Sequence, residues 1–219
     1  KGVIMNRRTL LALPLLAIAA AAQAQPRGGA PVQAAPLTDR DRADLAAAEA
    51  WFNRLSSVKA RFLQIAQNGA AAEGTAWIVR PGRMRFEYDR EPLLLVASHG
   101  QFFYFDKALR QPTTVPVGST PLGLLLRDQV RFSGDVTVSR VERSGGMVRI
   151  TIFRTGAPGE GRLTLVFSEN PFELKQWAVV DAQGQETRVS LYAPEYGARY
   201  PSMLFEFNDP RFREELGIQ

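Results

Sequence analysis

The sequence predicts one α+β domain, an antiparallel sheet of about eleven strands curved around an interior capped by two or three helices. Three observations predict it. A single amphipathic helix lies near the start, the apolar period falls to two after Val58, and several of the strand-like runs are apolar on both faces. With 219 residues, 45% of them apolar and 10% aromatic, the chain can bury a core, which excludes disorder as a description of the whole.

Residues 5–24 carry the three parts of a secretory signal: Arg7 and Arg8, an apolar run of 13 residues from Leu10 to Ala22, and Ala22-Gln23-Ala24 as a cleavage site. The run is shorter than the roughly 20 residues a bilayer-crossing helix needs, so cleavage after Ala24 is expected rather than anchoring. Residues 1–4 fit no such pattern and read as an upstream remnant. Removing residues 1–24 takes away Lys1, Arg7 and Arg8 and leaves 24 basic against 22 acidic residues, so the net charge falls from +5 to +2. A nearly neutral exported chain lacks the basic footprint of a nucleic-acid binder. The absence of cysteine excludes disulfides, thiolate chemistry and a lipid attached to a Cys.

Residues 25–37, rich in Pro, Gly and Ala, read as a flexible leader before a single domain over 38–219. Thr38 with Asp41 makes an N-cap, and Leu45, Ala48, Phe52 and Leu55 recur at helical spacing, predicting a helix over about 39–55. Period-two runs then predict strands over 61–67, 74–80, 83–88, 93–98, 101–106 and 111–115, with turns such as Arg80-Pro81-Gly82 and Ser98-His99-Gly100 between them. Residues 120–126, with Pro121 early and Leu122, Leu124, Leu125 and Leu126 around most of the circumference, predict a short apolar helix. Strands resume over 136–142, 147–154, 162–168, 174–181, 185–192 and 203–208.

Leu93–Ala97 is apolar throughout, and Phe102-Phe103-Tyr104-Phe105 carries aromatics on both faces. Two or three short helices do not cover both sides of such a sheet, so it must wrap around its own interior. Periodicity does not separate a filled barrel core from an internal ligand cavity. Arg80 ends an apolar strand and alternates with Ala76 and Ile78. It is either a guanidinium aimed at the interior or a strand-end side chain reaching solvent.

Catalytic chemistry finds little support. The single histidine, His99, sits in a turn, so a His-based zinc site has no second His and a Ser-His-Asp site would have to rest on His99 alone. Glu87, Asp89 and Glu91 read as a hydrated turn rather than a carboxylate pair. The loop 156–161 lacks the strand-to-helix context and the Lys of a phosphate cradle. No enzyme activity, metal or cofactor is expected.

An ordered set of motifs carries a resemblance. Gly74-Thr75-Ala76-Trp77-Ile78-Val79-Arg80-Pro81 is followed by Arg85-Phe86-Glu87-Tyr88. It is supported by Val58–Gln64, by Gly100-Gln101, by Thr120–Leu126, and by Trp177 with Asp181–Gln185. Over roughly 40–208 the chain resembles LolA, the periplasmic carrier family for outer-membrane lipoproteins.

The resemblance implies an unclosed, half-open antiparallel β-barrel with a helical lid over a hydrophobic cavity for acyl chains. It implies that Arg80 latches the lid through backbone carbonyls, with Phe52, Leu125 and Leu126 as lid partners. Trp77, Met84, Phe86, Phe103, Phe105 and Leu122 would line the cavity. Met84 departs from the Phe often found at that position and makes a softer lining. Because the sequence ends soon after Phe207, a long C-terminal extension present in some members is not expected.

The implied function is a periplasmic carrier, soluble after cleavage and monomeric. It would take acylated lipoproteins from an inner-membrane ABC-type release complex to an outer-membrane receptor. The alternative is a lipid- or lipoprotein-sensing regulatory domain on the same scaffold.

Overall fold

The computed structural model describes residues 34–106 and 111–206, so the signal-like segment and most of the leader lie outside the described residues. Helix α1 spans Asp39–Arg54. Thr38 Oγ1 accepts from the Asp41 amide, and the Asp41 carboxylate accepts from the Thr38 amide, so two of the orphan donors at the helix start are satisfied reciprocally. Leu45, Ala48 and Phe52 form its buried stripe.

Eleven antiparallel strands follow in two meanders. The first contains β1 (Ser57–Ala66), β2 (Ala71–Val79), β3 (Arg83–Tyr88), β4 (Leu93–Ser98), β5 (Gln101–Asp106) and β6 (Gln111–Pro116). The second contains β7 (Val136–Ser144), β8 (Met147–Arg154), β9 (Gly161–Glu169), β10 (Phe172–Asp181) and β11 (Glu186–Tyr196). Pairing of β1 with β11 joins them into one sheet of order β6-β5-β4-β3-β2-β1-β11-β10-β9-β8-β7, open between β6 and β7.

The sheet is strongly curled. Strands β3 and β10 stand four places apart, about 19 Å on a flat sheet. Yet the Phe86 and Trp177 rings meet across the interior with centroids 6.1 Å apart. One face of the strands from β1 to β11 feeds a single apolar cluster that also contains the buried stripe of α1. Close packing dictates Gly74, where a Cβ would stand 2.0 Å from the Glu87 carbonyl oxygen and 2.6 Å from the Phe62 ring.

The connection from β6 to β7 crosses the open side and carries the segment Pro121–Leu126 over the concave face. This segment is a 3₁₀ helix rather than the α-helix its composition suggests. Thr120 Oγ1 caps it by accepting from the Gly123 amide, and Gly123 lies so close to the Val117 carbonyl that a side chain there would clash. The lid therefore consists of one α-helix and a 3₁₀ turn.

Two further expectations are corrected. Residues 203–206 are not a strand: Ser202–Phe205 is a 3₁₀ helix, and the rest of the expected strand lies outside the described residues. The end of the expected leader is tied down, because the Ala35 amide donates to the Val138 carbonyl on edge strand β7 at 3.0 Å and Leu37 packs on the interior cluster. Among the described residues no helix is long and apolar enough to cross a membrane.

Candidate functional site

The concave face is covered by a lid of two parts cross-linked to each other. Asn53, near the end of α1, donates from Nδ2 to the Val130 carbonyl at 3.1 Å and accepts from the Val130 amide at 2.8 Å. One helical turn earlier, Glu49 Oε1 accepts from the Phe132 amide at 2.6 Å. The loop after the 3₁₀ turn thus travels with α1. At the other end of the helix, Arg143 of β7 donates to the Asp41 carboxylate and to the Arg40 carbonyl and pairs with Asp44, which anchors the helix start to the sheet.

Arg80 holds the free end of this lid. It follows β2 on the same side as Ala76 and Ile78, so its guanidinium enters the interior. It donates to the carbonyl of Arg127 and, at 3.4 Å, to that of Asp128, the two residues after the 3₁₀ turn. Its guanidinium carbon lies 5.9 Å from the Phe52 ring centroid. Burial holds the guanidinium below its ordinary pKa, and the Asp128 charge opposes that shift. Nε has no partner among the described residues.

The neighbouring Gly82 amide donates to the Leu126 carbonyl at 2.8 Å, and Arg127 is clamped by Asp135 through both guanidinium nitrogens. Arg127 holds the Asp135 carboxyl below the usual carboxylate range.

Leu122, Leu124, Leu125 and Leu126 are all buried in the interior cluster with Phe52 and Leu45. The cleft between the 3₁₀ turn and strands β8 and β9, bordered by Leu124, Ile152 and Leu163, holds only about 40 Å³. That is room for a water and not for an acyl chain, so a chain reaches this region only if the lid moves.

The structure sorts the sequence-derived residues onto two faces. Phe52, Met84, Phe86, Leu122, Leu125 and Leu126 meet in the interior. Leu125 and Leu126 contribute side chains, while the carbonyls bound by Arg80 belong to Arg127 and Asp128. Trp77, Phe103 and Phe105 do not face the interior. They pack with Leu94, Val96 and Val79 on the outer face, under the segment Tyr200–Phe205. The inward aromatics of β5 are instead Phe102 and Tyr104.

Arg85 fastens that outer strap by donating to the Leu204 carbonyl at 3.0 Å, and Arg83 lies 5.5 Å from the Phe205 ring centroid. Sequence reasoning missed Asn53, Glu49, Arg127 and Arg143. Their partners are more than 75 residues away or are backbone groups, apart from the short-range pair of Arg127 with Asp135.

Residues 53–208 match the family described as outer membrane lipoprotein carrier protein LolA. The chain belongs to the LolA family. A relative named outer-membrane lipoprotein carrier protein, from Methylococcus capsulatus, is 28% identical over 142 residues, covering 63% of this chain and 67% of the relative. Another of that name, from Dechloromonas aromatica, is 27% identical over 172 residues, covering 74% and 81%. A solved DUF1329 family protein from Desulfovibrio piger superposes with a TM-score of 0.52 at 11% identity, over 78% of this chain and 98% of that one, and shares the fold alone. Within the LolA match lie Arg80, the 3₁₀ turn and all eleven strands.

Proposed function

We propose that this LolA-family chain is a periplasmic carrier. It binds the acyl chains of lipoproteins released at the inner membrane by an ABC-type complex and hands them to a receptor at the outer membrane. The observation that carries the reading is the lid: apolar side chains fill the concave face, and Arg80, bonded to backbone carbonyls, ties the free end of the lid to the sheet.

The magnitudes suit a carrier. Burying a CH₂ stabilises by about 0.8 kcal/mol, so a chain of roughly 16 carbons gains on the order of 10 kcal/mol on entering an apolar hollow. The bilayer offers the same gain. A carrier must hold its cargo weakly enough to give it up, and the lid supplies the competition. Leu45, Phe52 and the four leucines of the 3₁₀ turn, at about 2 kcal/mol each, bury on the order of 10 kcal/mol in the empty protein. Cargo gains its burial only by displacing them.

The reaction is exchange of one apolar occupant for another, with no covalent step. The test is recovery of the protein from cells followed by mass spectrometry of bound material. The carrier reading expects acylated lipoproteins, in larger amount on Arg80→Leu protein. Recovery of both forms without lipoprotein or lipid would overturn it.

A further inference from the structure

The interior has a polar end far from the latch. Gln64 is on the inner face of β1 between Phe62 and Ala66, and it is fully buried, at 0% exposure. Along β1 it stands six residues from Val58, which lies beside the latch end, a distance of about 20 Å. The Tyr88 hydroxyl donates to Gln64 Oε1 at 2.9 Å. Burial pushes the Tyr88 phenol well above its ordinary pKa, so it stays protonated and keeps donating.

That bond fixes which way the amide points, and it leaves Nε2 with no partner among the described residues. The residues directly opposite Gln64 across the two neighbouring strands are the apolar Ala72 and Val189, and Phe62 packs on Tyr88 with ring centroids 5.1 Å apart. A buried amide donor left unmade is costly. An acyl chain alone would leave it so, whereas an acyl group arriving with its carbonyl would satisfy it. At the same end of the sheet a recess of about 310 Å³, lined by Ala72, Glu73, Asp89 and Arg90 among others, adjoins Gln64's strand partner Ala72 and follows Tyr88 in the chain.

We propose that Gln64 recognises the ester or amide carbonyl of a bound acyl group through Nε2, with Tyr88 as the positioning residue that orients it. The chain then runs from this end toward the space vacated by Phe52 and the leucines of the lid. The inference rests on the carrier reading and goes beyond it, since it assigns specificity for acyl groups over plain hydrocarbon.

Calorimetry with two probes of equal chain length separates the two claims: 1-monomyristoylglycerol, an ester, and 1-O-tetradecylglycerol, the ether without the carbonyl. One net hydrogen bond corresponds to roughly a 5- to 10-fold preference of the wild-type chain for the ester. Gln64→Leu is expected to abolish the preference by weakening ester binding while ether binding holds. Tyr88→Phe, which keeps the ring, is expected to cut it by at least half, and serves on its own if Gln64→Leu does not fold.

Equal binding of the two probes to wild type, or an undiminished preference in the variants, overturns the carbonyl assignment and leaves the carrier standing. Binding of neither probe, even to Arg80→Leu protein, overturns both.

Discussion

Replacing Arg80 by Leu is predicted to open the lid without unfolding the sheet. The side chain makes two charge-assisted bonds to backbone carbonyls, one of them long at 3.4 Å, and lies over Phe52. Hydrogen bonds to charged groups contribute about 1.5–3 kcal/mol each, and the ring contact about 0.5–1 kcal/mol. The cost of half-burying the guanidinium opposes these gains, and a buried Leu recovers part of the packing. A net loss of about 2 kcal/mol in lid closure remains, which is a shift of roughly 30-fold toward the open form.

One amide reports closure directly because its bond runs from the sheet to the lid: Gly82 to Leu126. The Val130 and Phe132 amides, bonded to Asn53 and Glu49, lie within the lid and report its internal cross-link instead. Hydrogen exchange at the Gly82 amide should accelerate roughly 30-fold, while amides in the paired centre of β1 and β11 keep their rates. Arg80→Lys, which retains the charge but not the fork, should fall between the two. Unchanged exchange at the Gly82 amide would refute the latch. Equal acceleration through β1 and β11 would show that Arg80 stabilises the whole fold instead.

The other predictions concern the lid's attachments and the outer face. Asn53→Ala removes both bonds to Val130, and is predicted to weaken closure by about 2 kcal/mol and to raise affinity for an apolar fluorescent probe. Thr38→Ala should destabilise α1 by about 1 kcal/mol in thermal melts, and the Asp41 carboxyl, now held low chiefly by Thr38, should titrate at higher pH by NMR. Asp135 is depressed by Arg127. Its contribution is therefore complete above the ordinary carboxylate value of about 4 and is lost as pH falls through the lower folded-state value. Because the pair is exposed, the effect stays below about 1 kcal/mol: lid opening, read as exchange corrected for the intrinsic amide rate at each pH, should be flat from pH 5 to 8 and rise below 4, and Asp135→Asn should remove that rise. Phe205→Ala on the outer face is predicted to cost about 3 kcal/mol and to expose Trp77, seen as a red shift of its fluorescence, with lid exchange unchanged.

Much of this architecture is legible in the residues. Period-two runs between Gly, Pro and Asp turns place eight of the strands to within two residues at each end and miss one end of β1, β2 and β11 by three or four, and the uniformly apolar β4 shows that both sheet faces are covered. What the sequence reading did not see is that the two faces have different covers. The residues alone leave the side of Arg80 open, and the resemblance implies an interior place for Trp77 and Arg80 alike, although residues three apart on a β path point to opposite sides. Once Arg80 faces in with Ile78 and Ala76, Trp77 must face out.

For β5 no such constraint exists, because Phe102 and Phe103 are equally good core residues. Only the register with β4, which sets Phe103 opposite Val96 and Phe105 opposite Leu94, decides the side. The lid's internal bonds were illegible for another reason. Asn53 and Glu49 bond to backbone groups 77 and 83 residues away, and backbone groups leave no pattern in a sequence.

The central claim is that this chain lifts lipoproteins by their acyl chains. Its most direct measurement is a release assay in which spheroplasts carrying a labelled lipoprotein are incubated with the purified protein. The account predicts that the acylated lipoprotein appears in the soluble fraction and co-elutes with the carrier, while the same lipoprotein with its acylated cysteine replaced does not. Retention of the acylated form on the membrane, or equal binding of the unacylated form, would contradict it.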